Sequence, residues 1–191
     1  MEILTPDRPL RRMAERGLAW QLALIVSGSW AIALSAGINV PMIPVPMSMQ
    51  SFAIILIAAL AGRTLATQII LAYLIQGAVG MPVFAGGGGL AYMAGPSGGY
   101  LAGFLPAAML VGHLADQGWN RRPGLLMLAA MAAHGVILLL GLAWLQSLMG
   151  SVTAALQAGV LPFIPGMLLK SALVVLLVLI VTANRRPERQ S

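Results

Sequence analysis

The sequence contains no cysteine, one lysine and only five acidic residues. The first absence removes disulfides, thiolate metal sites and cysteine nucleophiles together. The carboxylates, Glu2, Asp7, Glu15, Asp116 and Glu188, form no close pair for acid–base work and no proton relay. His-x-x-Glu-His, Gly-x-Ser-x-Gly and Walker sequences are missing as well. Gly86 to Gly89 is not a nucleotide loop, because it follows no soluble strand and lacks the downstream Gly-Lys-Ser/Thr. The chain is therefore not expected to be an enzyme, with no catalytic residue, no metal site and no cofactor. It also has no visible means of energising transport by itself.

What the sequence has in quantity is apolar surface, 59% hydrophobic residues against 8% charged, which identifies an integral membrane protein. A net charge of +6 would suit nucleic acid, but the ten arginines stand in short groups beside apolar runs. Membrane topology explains them better, so a lipid bilayer is the expected surrounding and nucleic acid is not.

The arginine-bearing segment 1–16 precedes an apolar run from Gly17 to about Ile38. That run is longer than the roughly 7 to 15 residues of a signal-peptide core, so it reads as a first span. Along it Ala19, Ala23, Ser27, Ala31 and Ser35 recur every fourth residue, a stripe on which another helix can pack closely. Pro41, Pro44 and Pro46 exclude a helix through 39–48. A short second span, Met49 to about Ala61, opens with Gln50 and Ser51, and Arg63 marks a tight turn into a third, Thr64–Gly80, with Gln68, Tyr73 and Gln76. A fourth is expected over Gly99–Ala115, with a ladder of Gly95, Gly99, Gly103 and Ala107. The fifth, Gly124 to about Met149, carries His134, which alone in mid-span reads as a packing residue rather than a ligand. After a connection at 151–165 with room for a helix of one or two turns, the sixth runs from about Phe163 to Ala183.

With six spans, the N-terminal segment, the Arg63 turn, the 116–123 connection and the C-terminal tail hold every arginine, and the loops 39–48, 81–98 and 150–162 hold none. Both termini are then cytoplasmic: a tail over 1–16, a six-helix membrane domain over 17–183 and a tail over 184–191. The three charge-free loops are also the irregular ones. They share the external face.

Among those loops, Met81–Tyr100 is dense in glycine yet carries Phe84, Tyr92, Met93 and Tyr100. Glycine runs do not continue helices, and irregular backbone near a membrane survives where protein or a watery cavity satisfies it. The aromatics favour a structured cap over an outward cavity; a flexible tether is the plainer alternative. Lys170 is the one charged residue inside a span, about seven residues from its outer end or roughly 10 Å deep, with no carboxylate at its level. Either it faces the cavity or its stem snorkels outward.

Four motifs together carry a resemblance: Pro44-Val45-Pro46-Met47-Ser48-Met49-Gln50, Gly80-Met81-Pro82-Val83-Phe84-Ala85 with Gly86–Gly89, Gly95-Pro96-Ser97-Gly98-Gly99-Tyr100, and Pro162-Phe163-Ile164-Pro165-Gly166 with Lys170. In order and spacing, over about 17–183, they resemble the BioY family, the biotin-specific S components of energy-coupling factor (ECF) transporters. The resemblance implies an all-α, six-helix S-component fold that captures biotin from outside and is powered by a transmembrane coupling protein and two ATPases that hydrolyse ATP. It implies a bacterial cytoplasmic membrane, and it matches Ala19 and Ala23 to the family's Ala-x-x-x-Ala docking surface. One position departs: where the family reads Pro-Gly-Asp, this chain has Met167.

Biotin needs an apolar pocket with a few convergent polar groups. Phe84, Tyr92 and Tyr100 can wall it, Asn39, Gln50 and Gln76 can offer amides, the loop around Gly87 and the tyrosine hydroxyls can add donors, and Lys170 can offset a charge. Rival readings are an S component for another small carboxylated vitamin, a small membrane enzyme, and a channel-like homo-oligomer, which the small-residue ladders would permit.

Overall fold

A computed structural model describes residues 9–183, so residues 1–8 of the expected N-terminal tail and the whole expected C-terminal tail, with Arg8, Arg185, Arg186 and Arg189, lie outside the described residues. Among the described residues the architecture is helical: α1 (Pro9–Ala14), α2 (Leu18–Gly37), α3 (Gln50–Ala78), α4 (Leu90–Met93), α5 (Gly98–Asp116), α6 (Pro123–Met149), α7 (Val152–Gly159) and α8 (Phe163–Ala183). The only strands described, β1 (Asn39–Val40) and β2 (Met47–Ser48), pair antiparallel across the proline-rich loop, Asn39 opposite Ser48. Five of the helices, α2, α3, α5, α6 and α8, are long and apolar enough to cross a bilayer. The protein is thus a multi-pass membrane protein. The short α1 was not expected from the sequence, whereas α7 fills the place foreseen for a one- or two-turn helix.

The difference between five helices and six expected spans lies in α3. Its backbone breaks at Gly62, where φ 75° and ψ 175° are open to glycine and strained for other residues. A straight helix would hold Gln50 and Tyr73 about 35 Å apart at 1.5 Å per residue, yet Gln50 Nε2 donates to the Tyr73 hydroxyl. The two arms therefore fold back on each other. The second arm then runs parallel to α2, tied to it by Gln21 with Gln68 (3.0 Å) and by Gln76 with Ser29 (3.1 Å). Asp116, at the end of α5, accepts from the Arg63 backbone N–H (3.2 Å), placing a carboxylate at the exposed start of the second arm.

Close packing uses the small residues of α5. A Cβ at Gly103 would fall 2.9 Å from the Cα of Ile137, and Gly99 lies against Leu140 and Trp144, so this ladder seats α5 on α6. The stripe on α2 does the opposite: Ala19, Ala23, Ser27 and Ala31 are all exposed, beside Trp20, Leu22, Val26 and Trp30. At one end of the bundle gather the arginine-bearing segments, with Arg11 Nη1 3.9 Å from Asp116 and the buried Asn120 donating to the carbonyl of Ala59 (3.2 Å). The opposite end holds the β1–β2 loop, the glycine-rich segment and α7. They enclose a cavity.

Candidate functional site

Each wall of this cavity is one face of one element. Tyr100, Leu101 and Phe104 of α5, His134, Ile137 and Leu138 of α6, and Phe163, Met167 and Lys170 of α8 recur at three- and four-residue spacings, which line up on one side of a helix. Val45, Pro46 and Ser48 come from the β1–β2 loop and its end, Gln50 and Ser51 from the first turn of α3, and Ala85, Tyr92 and Ser97 from the glycine-rich segment. The wall is mainly apolar with a few polar groups, the composition of a small-molecule pocket.

The glycine-rich segment is a cap with its own packing. Tyr73, Phe84 and Tyr92 form a ladder of rings, the first pair edge-to-face and the second stacked, each with centroids 5.5 Å apart. Gly77 leaves the space that the Phe84 ring occupies, and Phe84 and Gly87 bond each other through their backbones. Tyr92 donates its hydroxyl to the carbonyl of Ala85 (2.7 Å), closing the turn over the cavity. Trp144 Nε1 donates to Gly95 (2.9 Å) and fixes the far side of the segment to α6. Tyr100 stacks on Phe163 and donates to the carbonyl of Gly159 (2.7 Å), binding α7 to the same wall.

Lys170 turns inward. It is 8% exposed, and its ammonium donates to the carbonyl of Ser48 (2.7 Å) and to Ser51 Oγ (3.4 Å). Two of three donors are used, so one N–H is left for a ligand. No ion pair to Lys170 is found among the described residues. A buried ammonium held only by neutral oxygens favours an anion or a strong acceptor beside it. Next to it Ser48 Oγ donates to Gln50 Oε1 (2.7 Å), Gln50 donates to Tyr73, and Tyr73 donates to the carbonyl of Val83 (3.1 Å). The polar floor of the cavity is in this way connected to the cap.

Of the residues singled out from the sequence, Gln50, Tyr92, Tyr100 and Lys170 line the cavity together. Phe84 and Gly87 stand behind the wall, Phe84 stacking on Tyr92 and Gly87 lying close to that ring. Asn39 and Gln76 lie elsewhere: Asn39 Nδ2 donates to the carbonyls of Ala36 and Gly37 at the end of α2, and Gln76 pairs with Ser29. The hydroxyl hydrogens of Tyr92 and Tyr100 are committed to backbone carbonyls, so these residues offer rings rather than donors. Ser48, Ser51, Phe104 and Phe163 also line the cavity without having been expected there, as do His134, which reads from the sequence as packing, and Met167, the position that departs from the family motif. Phe163 and Met167 stand seven and three residues before Lys170, a helical face that its inward placement would have indicated.

The arrangement suits holding a small amphipathic molecule. Among the described residues no group of three or more His, Cys, Asp or Glu side chains could hold a metal ion.

Comparison with known proteins gives the same kind of molecule throughout. The model of the BioY family matches residues 9–186. The biotin transporter BioY of Thermotoga maritima is 33% identical over 160 residues, covering 81% of this chain and 86% of that one. The probable biotin transporter BioY of Pyrococcus horikoshii is 38% identical over 145 residues, covering 75% and 85%. Among solved structures, the S-component for biotin from an ECF-type ABC transporter matches with a TM-score of 0.74 and 27% identity, over 87% of this chain and 92% of that one.

Proposed function

Since the chain belongs to the BioY family, we propose that it is the biotin-capture subunit of an ECF transporter rather than an enzyme. The observation that carries this reading is the capped, ring-walled cavity with Lys170 buried on its floor and one ammonium hydrogen free. The bicyclic body and apolar tail of biotin suit the Tyr92, Tyr100, Phe104 and Phe163 walls. Its carboxylate is the electrostatically favoured partner of Lys170, because the loops at this end of the bundle, 39–48, 81–98 and 150–162, carry no Arg or Lys. The ureido oxygen is the other acceptor that biotin could present there.

Counting the two arms of α3 separately gives six passages and returns both termini to the arginine-rich, cytoplasmic side. The domain limits follow as 1–16, 17–183 and 184–191, and the membrane as the bacterial cytoplasmic one. Biotin enters through the charge-free end. On the outer face of α2, Ala19 and Ala23 dock the coupling protein, which joins two ATPases to the complex. Titration of the purified protein with biotin tests the whole reading. Saturable binding of one equivalent is expected, and the absence of binding in a folded, monodisperse sample would overturn it.

A further inference from the structure

His134 lies in mid-α6, 4% exposed, with its ring on the cavity wall. Nδ1 is 3.0 Å from the carbonyl of Ala130 and 3.1 Å from Ser171 Oγ. A carbonyl only accepts, so the proton sits on Nδ1 and is shared between these two oxygens. Ser171 follows Lys170 on α8, so the ring is clamped between its own helix and the turn that carries the ammonium. Nε2, on the opposite edge, is buried and has no hydrogen-bond partner.

An imidazolium here would be a bare charge in the membrane with no carboxylate among its contacts, whereas the neutral ring presents Nε2 as a lone-pair acceptor. A buried acceptor left unpaired is costly and calls for a donor. The same wall carries the apolar Ile137, Leu138 and Met167, and none of its donors, Lys170 and Ser51 included, bonds Nε2. With those donors engaged elsewhere or directed away from it, the partner that Nε2 lacks can be supplied by what fills the cavity.

We infer that His134 Nε2 accepts a hydrogen bond from a ureido N–H of the bound ligand, making His134 the residue that selects for a cyclic urea over shapes of equal size. This rests on the biotin reading, and within biotin the choice is forced by chemistry. At neutral pH the carboxylate and the ureido oxygen only accept, and the two ureido N–H groups are the molecule's only donors. A fixed acceptor opposite one of them leaves a mismatched analogue with its own group and Nε2 both unpaired, the asymmetry that makes polar discrimination strong.

Calorimetric titration of the full chain with biotin and with its two mono-N-methyl ureido isomers tests the assignment. His134→Phe, which keeps the ring and removes the acceptor, should weaken biotin about 10- to 100-fold, the scale of one hydrogen bond to an otherwise bare buried group. One N-methyl isomer should lose affinity on the wild type yet be nearly equivalent to biotin on His134→Phe, and His134→Gln should recover part of the loss. Equal biotin affinity in wild type and His134→Phe, or the same N-methyl penalty in both, would make His134 a packing residue only. Should the variants not fold, the wild type labelled with 15N-histidine gives the answer: the Nε2 resonance should move on adding biotin, and a stationary signal overturns the assignment. A wild type that binds no biotin in the same titration fails the functional reading first, and the ureido contact falls with it.

Discussion

At the scale of single residues, Lys170 decides how the site is read. Its ammonium is tied to Ser48 at the end of β2 and Ser51 in the first turn of α3, both neutral, and is not drawn out to solvent as a snorkelling lysine would be. Lys170→Met should therefore weaken biotin binding by about 1.5–3 kcal/mol, the range for a hydrogen bond to a charged group. Biotin amide separates the two poses. If the carboxylate meets Lys170, the amide loses affinity on the wild type and little more on Lys170→Met; if the ureido oxygen does, both proteins lose equally. Unchanged biotin affinity in Lys170→Met would remove the lysine from the site. Part of this chemistry was legible in the sequence, because a lone charge in an apolar run has to be accounted for. His134 was not, since histidine alone in a span reads as packing, and only the shared partners of its Nδ1 expose the bare Nε2. Asn39 and Gln76 lie away from the cavity lining for the converse reason: an amide near a loop or in a span can bond the nearest backbone or helix, which composition does not reveal.

Among the elements, the long helices were legible nearly to their ends, because apolar runs broken by Pro, Gly and Arg leave few choices of boundary. The exception is α3, where the turn was foreseen at Arg63 and lies at Gly62, the neighbour able to take a positive φ. What the sequence could not tell is which small-residue stripe faces inward, since both show the same period of four. The structure separates them, with the α5 ladder against α6 and the α2 stripe open. Gly103→Val should accordingly part α5 from α6 and lower the thermal midpoint sharply, because its Cβ would fall against the Ile137 backbone. Gly135→Ala, on an open face of α6, should leave the midpoint unchanged or raise it slightly by up to about 1 kcal/mol of helix propensity. Equal effects from the two would contradict the packing described. For α2, a bulky residue at Ala19 or Ala23 should reduce co-purification with a coupling protein and leave biotin affinity intact, since the cavity has no lining residue on this helix. Loss of biotin binding with association preserved would assign the stripe to internal packing.

For the whole molecule, the question is which way the cavity opens. The bundle separates its chemistry by end: Arg11, Arg63 and Asp116 cluster at one, while the other carries the cap, with Tyr92 and Ser97 on the cavity wall, the β1–β2 loop and α7. Positive charge is retained on the cytoplasmic side of membrane proteins, so the cavity should face outward and Gln117 inward. The argument depends on the fold-back of α3, because five passages would leave Arg63 inside the membrane and put the N-terminal segment and the 116–123 connection on opposite sides. Cysteines introduced one at a time are unambiguous here, as the chain has none of its own. Thr153, exposed on α7, and Gln117, exposed in the 116–123 connection, are suitable positions. In intact cells a membrane-impermeant maleimide should label Thr153→Cys and spare Gln117→Cys until the membrane is opened. Labelling of both from outside would refute the six-passage scheme, and the reverse pattern would invert it, turning the cavity toward the cytoplasm and ending the case for uptake from outside.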